Sequence, residues 1–261
     1  MKQRILTAIF ALIIFVPFVL YGNLPFTLFV YLLATIGLLE LIQMRKREHY
    51  GAPAILAIIY VWTILWEYEN DSIPLIGLDK TEVTVLFVVL LLTYIVFIKN
   101  KFNFDDAGFL LLSAIYIGMG FFSMIVARGD GPNYIFYVLL VIWATDTGAY
   151  FIGKAFGKNK LWPKISPNKT IEGALGGVIL ACAVGVSFQL AAPFPYTMGA
   201  MIGITILVSV FGQIGDLVES AFKRHYGVKD SGKLLPGHGG ILDRLDSLLF
   251  VLPILYLIGF I

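Results

Sequence analysis

Thr81-Glu82-Val83-Thr84-Val85-Leu86-Phe87-Val88-Val89-Leu90-Leu91-Leu92-Thr93-Tyr94-Ile95-Val96-Phe97-Ile98 is closed by Lys99, Asn100 and Lys101, and it carries a single charge, Glu82. About 20 apolar residues cross a hydrocarbon core roughly 30 Å thick as a helix, and the run is far longer than a barrel strand of about 10 residues. Backbone amides in lipid must bond within their own segment, so a helix is the expected state. The same pattern recurs on both sides. Apolar runs between polar breaks fall near 5–21, 25–44, 53–66, 81–98, 107–127, 133–152, 171–191, 197–221 and 241–260, the third being the shortest. Of 261 residues 59% are hydrophobic and 14% charged, with a mean hydropathy of +0.86, against roughly 25% charged in soluble domains. No stretch remains for a sizeable soluble domain. The expectation is an all-α integral membrane protein, a polytopic bundle of about nine transmembrane helices.

The first run, behind Lys2 and Arg4, is expected to stay as a span, because Val19-Leu20-Tyr21-Gly22-Asn23 lacks a small-residue cleavage pattern. Cys182 is the sole cysteine and lies inside an apolar run. It forms no internal disulfide, and its expected role is packing.

Lysine and arginine stay on the cytoplasmic side of a membrane protein. With nine spans and the N-terminus inside, the inside segments hold Lys2, Arg4, Arg45, Lys46, Arg47, Lys99, Lys101, Lys154, Lys158, Lys160, Lys164, Lys169, Lys223, Arg224, Lys229 and Lys233, which is 16 of the 19 basic residues. Lys80 and Arg128 fall outside, Arg244 falls in the last span, and the loop after span three carries Glu67, Glu69, Asp71 and Asp79. An eight-span count would put the basic loops on alternating sides. The N-terminus and a polar active site are therefore expected on the cytoplasmic side, and the expected location is the cell inner (plasma) membrane. Two inside loops, 153–170 and 222–240, are long and rich in glycine, proline and lysine. Residues 1–130 are expected to serve as a lipid-facing scaffold, and residues 131–261 to carry the chemistry with those two loops.

Aspartate at a helix centre costs about 2.5 to 3.5 kcal/mol on translocon scales, so acids within spans ask for a reason. Asp146 sits in Trp143-Ala144-Thr145-Asp146-Thr147-Gly148-Ala149-Tyr150; Asp216 and Glu219 lie near the inner end of span eight, and Asp243 and Asp246 open span nine. Asp216, Glu219, Ser220 and Lys223 form one helical stripe, and Asp243 and Asp246 share a face. Carboxylates on adjoining helix ends, together with substrate phosphates, are how magnesium is usually held. Isolated interfacial charges would be the bland reading of any one of them. The loop 223–240 adds Lys223, Arg224, Lys229 and Lys233 as phosphate donors, and it adds His238-Gly239-Gly240 just ahead of Asp243. A purely topological loop has no need of that histidine and its glycines.

From Ser220 to Asp246 the chain resembles the phosphatidate cytidylyltransferase family: Ser220, Lys223-Arg224, Lys229-Asp230, Pro236, His238-Gly239-Gly240, Asp243-Arg244 and Asp246 stand at the family spacing. Ser166-Pro167-Asn168-Lys169-Thr170-Ile171-Glu172-Gly173 resembles the family's second polar motif, and Asp146-Thr147-Gly148-Ala149-Tyr150 a third. Asn168 stands where relatives are expected to carry lysine, so it receives no charge-based role.

The resemblance implies transfer of CMP from CTP to phosphatidic acid, giving CDP-diacylglycerol and pyrophosphate. It implies magnesium, with a second cation compatible. Asp216, Asp243 and Asp246 are the expected metal ligands. Lys223 and His238 are the other expected catalytic residues, and Asp146, Ser166, Lys169, Ser220, Arg224, Lys229 and Arg244 the expected substrate contacts. Expected partners are CTP, phosphatidic acid and the bilayer, with no nucleic acid; a homodimer is compatible with the sequence. No P-loop or Gly-x-Gly-x-x-Gly opens a helix, so nucleotide binding falls to lysines and metal. A transporter would distribute its acids across membrane depth. A CTP-using lipid kinase would share the metal and lysine needs, and a CDP-alcohol phosphotransferase would need an Asp-Gly-x-x-Ala-Arg opening that this sequence lacks. His225 and His49 are read as interfacial residues, and nothing in the sequence places Glu40 at the site.

Overall fold

The computed structural model describes residues 2–45, 51–66 and 77–261, without the side chains of Lys2, Arg4 and Ile5. Among them the chain forms nine helices: α1 (Lys2–Tyr21), α2 (Asn23–Met44), α3 (Gly51–Leu65), α4 (Lys80–Phe97), α5 (Phe104–Asp130), α6 (Pro132–Phe156), α7 (Ile171–Ala191), α8 (Met198–His225) and α9 (Leu242–Leu257). Six of these, α2 and α4 to α8, are long and apolar enough to cross a membrane. The chain is an all-α membrane protein in its main architecture. Lys46, Arg47, Glu67, Glu69 and Asp71, which enter the charge census, lie outside the described residues, as does His49.

Residues 153–170 are not simply a loop. Residues 153–156 are the last turn of α6, and beyond them the chain forms an antiparallel hairpin, β1 (Lys160–Trp162) and β2 (Ser166–Thr170), paired Lys160 to Thr170 and Trp162 to Ser166. Helical periodicity gives no signal for two strands this short. The hairpin is tied to the start of α7 by Glu172, whose carboxylate accepts from the Lys158 and Asn159 amides at 3.1 to 3.2 Å and from Asn159 Nδ2 at 2.8 Å. Thr170 caps α7 by accepting from Gly173 N–H at 3.1 Å.

By contact the chain divides into two compact units: residues 1–125 with 230–243, and residues 126–229 with 244–261. The expected division at residue 130 is one of roles; the compact units cut the chain differently.

In the first unit α2 lies against α3 and α5. A Cβ on Gly118 would stand 2.8 Å from Ile64 Cδ1, and one on Gly37 3.1 Å from Leu242 Cδ2. Arg45 at the end of α2 pairs with buried Asp106 at 2.7 Å and donates to Asp105 O at 2.9 Å.

In the second unit α6, α7 and α8 pack through small residues. A Cβ on Gly148 would meet Gly176 O at 2.8 Å and Gly177 Cα at 3.0 Å, and one on Gly173 would meet Ala149 O at 2.7 Å. Two helix backbones approach this closely only where side chains are absent, a common way for helices to associate in lipid. Tyr137 and Thr205 bond across α6 and α8 at 2.7 Å, as do Thr145 and Ser209 at 2.8 Å. Helix α9 lies equally close to α8: Ser247 Oγ donates to Gly212 O at 2.9 Å, and a Cβ on Gly215 would stand 2.7 Å from Phe250 Cβ. With 28 residues, α8 is about 42 Å long at 1.5 Å per residue. It outlasts a hydrocarbon core of roughly 30 Å by about two turns, and its last turns carry Glu219, Lys223 and Arg224.

Candidate active site

The second unit brings five of the expected site residues into one electrostatic neighbourhood. Asp146 (α6), Asp216 (α8) and Asp246 (α9) lie within reach of one another's charge: Asp216 acts on both others, and Asp146 acts on Asp246. Lys169, on β2, forms an ion pair with Asp216 and also acts on Asp146. Lys223 acts on Asp246 and pairs with Glu219 one turn back at 2.5 Å. Ser220 Oγ faces Asp216 Oδ1 at 3.5 Å. The Asp246 carboxylate also accepts from Ser247 N–H at 2.7 Å.

Each placement has a local cause. Asp216 and Ser220 share a face of α8 at i and i+4. Lys169 is one residue before the cap Thr170, so the strand and the capped start of α7 together fix where it emerges. Gly215 lets α9 lie against α8 beside Asp216, with Asp246 O 3.0 Å from the position its Cβ would take. Gly148 and Gly173, both inside polar motifs, serve helix packing next to Asp146 and Lys169.

Four other expected residues of this unit lie at its edge. Arg224 donates through Nε to Ile165 O at 3.4 Å, which ties the end of α8 to the hairpin. Lys229 and Arg244 are exposed. Ser166 opens β2 opposite Trp162.

In the first unit, segment 230–243 folds on itself. Pro236 and Gly237, the latter at φ 77°, form a turn closed by His238 N–H to Leu235 O at 2.9 Å, and Leu235 N–H donates to Gly239 O at 2.8 Å. Proline followed by a positive-φ glycine is the type II pattern. This turn sets His238. Asp243 Oδ2 accepts from Ser231 N–H at 2.7 Å, Ser231 Oγ at 2.8 Å and Gly240 N–H at 2.8 Å. One oxygen of that carboxylate is thus committed to closing the segment.

The signature also left out a partner here. Glu40 on α2, 4% exposed, accepts from Ile241 N–H at 2.9 Å, Leu242 N–H at 3.0 Å and Ser231 Oγ at 3.1 Å. A Cβ on Gly232 would stand 2.5 Å from Glu40 Oε1, and one on Gly240 would run into both carboxylate oxygens. At these two glycines the close neighbour is Glu40. A lone acid late in an apolar run was the available signal, and its partners are about 200 positions away.

Among the described residues no three His, Cys, Asp or Glu side chains converge tightly enough to enclose an ion by themselves. Magnesium does not demand this, since it is commonly held by one or two carboxylates plus substrate phosphates and waters. The donor set suits it: hard oxygens, with four acids, Asp146, Asp216, Asp246 and Glu219, against two lysines, Lys169 and Lys223. A divalent cation would relieve the crowding of these carboxyl groups.

Comparison with known proteins extends over the whole chain. A family model described as "Cytidylyltransferase family" matches residues 2–261. A phosphatidate cytidylyltransferase of Bacillus subtilis (strain 168) is 51% identical over 259 residues, covering 98% of this chain and 96% of its own. Those of Staphylococcus haemolyticus (strain JCSC1435) and Staphylococcus aureus (strain COL) are 49% and 46% identical over 256 residues, each covering 98% of this chain and 97% of their own.

Proposed function

The chain belongs to the cytidylyltransferase family, and from that premise we propose that it is a membrane-embedded phosphatidate cytidylyltransferase of phospholipid synthesis. It takes CTP and phosphatidic acid to CDP-diacylglycerol and pyrophosphate. A phosphatidate oxygen bonds to the α-phosphorus of CTP while the bond from that phosphorus to the bridging oxygen breaks, and the electron pair leaves with pyrophosphate. The nucleophile is already an anionic phosphate monoester, so the chain needs no strong base. Its task is to hold two polyanions together and to stabilise the charge that develops between them.

The observation that carries this reading is the cluster of Asp146, Lys169, Asp216, Lys223 and Asp246, drawn from four elements of one unit. Asp216 and Asp246, with Asp146 beside them, are the carboxylates we assign to magnesium, which would supply positive charge against the triphosphate. Lys169 and Lys223 are held by Asp216 and Glu219, so their ammonium groups are pre-positioned to meet phosphate oxygens. Arg224, Lys229 and Arg244 are assigned to the phosphates, with Ser166 and Ser220 as hydroxyl donors. His238 is assigned a phosphate or a metal-ligand partner. Asp243 keeps its place in the signature, and its hydrogen bonds support the additional task of closing segment 231–243. We place the site and the N-terminus on the cytoplasmic face of the cell membrane, with nine crossings. That reading is supported by the basic residues of the hairpin and of the end of α8, which Arg224 joins to one another.

The test is purified protein in detergent given radiolabelled CTP and phosphatidic acid. Lipid-dependent release of pyrophosphate and labelled lipid is expected with magnesium and is lost on chelation. CTP and dCTP are expected to serve and ATP to fail; equal rates with ATP would reject the nucleotide assignment.

A further inference from the structure

We infer that Glu40, which lies outside every motif of the chain, is a positioning residue for cytidylyl transfer; this rests on the function proposed above. Its carboxylate does what an N-cap side chain normally does from the preceding residue, but it does so from another helix. It accepts the Ile241 and Leu242 amides at the start of α9, two of the donors that a helix N-terminus leaves without intrahelical partners. The positive end of the α9 dipole favours the anion there. Its third contact is Ser231 Oγ, whose single hydroxyl hydrogen is shared between Glu40 at 3.1 Å and Asp243 Oδ2 at 2.8 Å, so that one residue bridges the two carboxylates. Ser231 and the Ile241 and Leu242 amides are therefore gathered on one buried carboxylate.

The surrounding small residues support this reading. Gly232 and Gly240 leave room for the carboxylate, and Gly37, one turn before Glu40 on α2, makes room for Leu242. A methyl at 240 would displace the carboxylate. Segment 230–240 has no helix of its own, and the side chains of Lys233, Leu234 and Pro236 are exposed. Segments with few buried apolar contacts open at low free-energy cost. Glu40 opposes that opening, and so it holds Asp243 and His238 in the arrangement in which they enter the reaction. Glutamine at this position would keep the size but lose one acceptor, and one amide of α9 would lose its partner.

The experiment combines steady-state kinetics in detergent, with CTP and phosphatidic acid, and hydrogen–deuterium exchange of the peptides covering 231–243. The variants are Glu40→Gln, Glu40→Asp, Gly240→Ala and Glu40→Gln with Ser231→Ala. For Glu40→Gln we expect faster exchange confined to 231–243, kcat reduced at least about 10-fold, and KM for CTP within about 3-fold of wild type, the split that marks an interaction realised in the transition state. Glu40→Asp keeps the charge but is one methylene short, and it should recover part of kcat. Gly240→Ala should reproduce the loss with Glu40 intact, which keeps the inference testable if Glu40→Gln fails to fold. The double variant should be no more than about twofold worse than Glu40→Gln, since both changes act through one clasp. A folded Glu40→Gln protein with wild-type kcat overturns the inference, as does unchanged exchange in 231–243. A wild-type chain without turnover sinks the enzymatic reading and this inference with it, a result distinct from an active wild type beside an equally active variant.

Discussion

Among the carboxylates of the signature, Asp216 and Asp246 stand in a cluster whose acids outnumber its lysines, and Asp243 is bonded to the backbone of its own segment. Their variants should differ. Asp216→Asn and Asp246→Asn should each lower turnover at least about 100-fold, near 2.7 kcal/mol of transition-state stabilisation, and raise the magnesium concentration needed for half-maximal rate. Asp243→Asn should in addition speed amide exchange in 231–243, because a neutral amide is a poorer acceptor for three donors. Near-normal turnover of folded Asp216→Asn at limiting magnesium would remove it from the ligand set. Glu219 lies outside the matched signature. The structure places it 2% exposed and bonded to Lys223 at 2.5 Å. Removing one partner of a largely buried pair takes away much of the other's compensation, a change that costs up to about 3 kcal/mol. Glu219→Gln should therefore lower both thermal stability and kcat, and Lys223→Met in the same chain should restore part of the stability. If Glu219→Gln melts like wild type, the pair contributes less than its burial implies.

At the scale of elements, α6 and α7 meet backbone to backbone through glycines that also belong to the polar motifs. Gly148→Ala would set a methyl against Gly176 O and Gly177 Cα, neither of which is the movable end of a side chain. It should destabilise by about 1 to 3 kcal/mol, as overpacking does. Gly203→Ala on α8 meets nothing within 4 Å and should be neutral or stabilising by about 0.5 to 1 kcal/mol, because alanine costs less backbone entropy in a helix. Thermal unfolding of both variants in detergent decides it. Equal melting would mean that α6 and α7 can separate without penalty. The hairpin is the element that hydropathy could not reveal. Its strands are three and five residues long, and Lys169 reaches Asp216 through the pairing of β1 with β2 and the Thr170 cap, neither of which leaves a periodic trace.

For the whole molecule the main prediction concerns sidedness. Single cysteines replacing Lys160 and Lys233 in a Cys182→Ser chain should resist an impermeant thiol reagent added to intact cells and react after permeabilisation; labelling from outside would invert the proposed topology. The sequence by itself determined the helices, because a run of apolar residues in lipid has one way to satisfy its amides, and each of the nine expected runs falls on a helix. It also determined the family, through fixed spacings between Asp146 and Asp246 that the full-length similarity to known phosphatidate cytidylyltransferases bears out. It left undecided which acids would meet and what the glycines are for, because both depend on pairs of helices distant in the chain. Only the tertiary structure brought Asp146, Asp216 and Asp246 into one field, paired Glu219 with Lys223, and placed Glu40 under the signature segment. The physical reason is that hydropathy acts residue by residue and fixes each helix on its own, whereas a buried charge is stabilised only by the particular donors that packing brings to it.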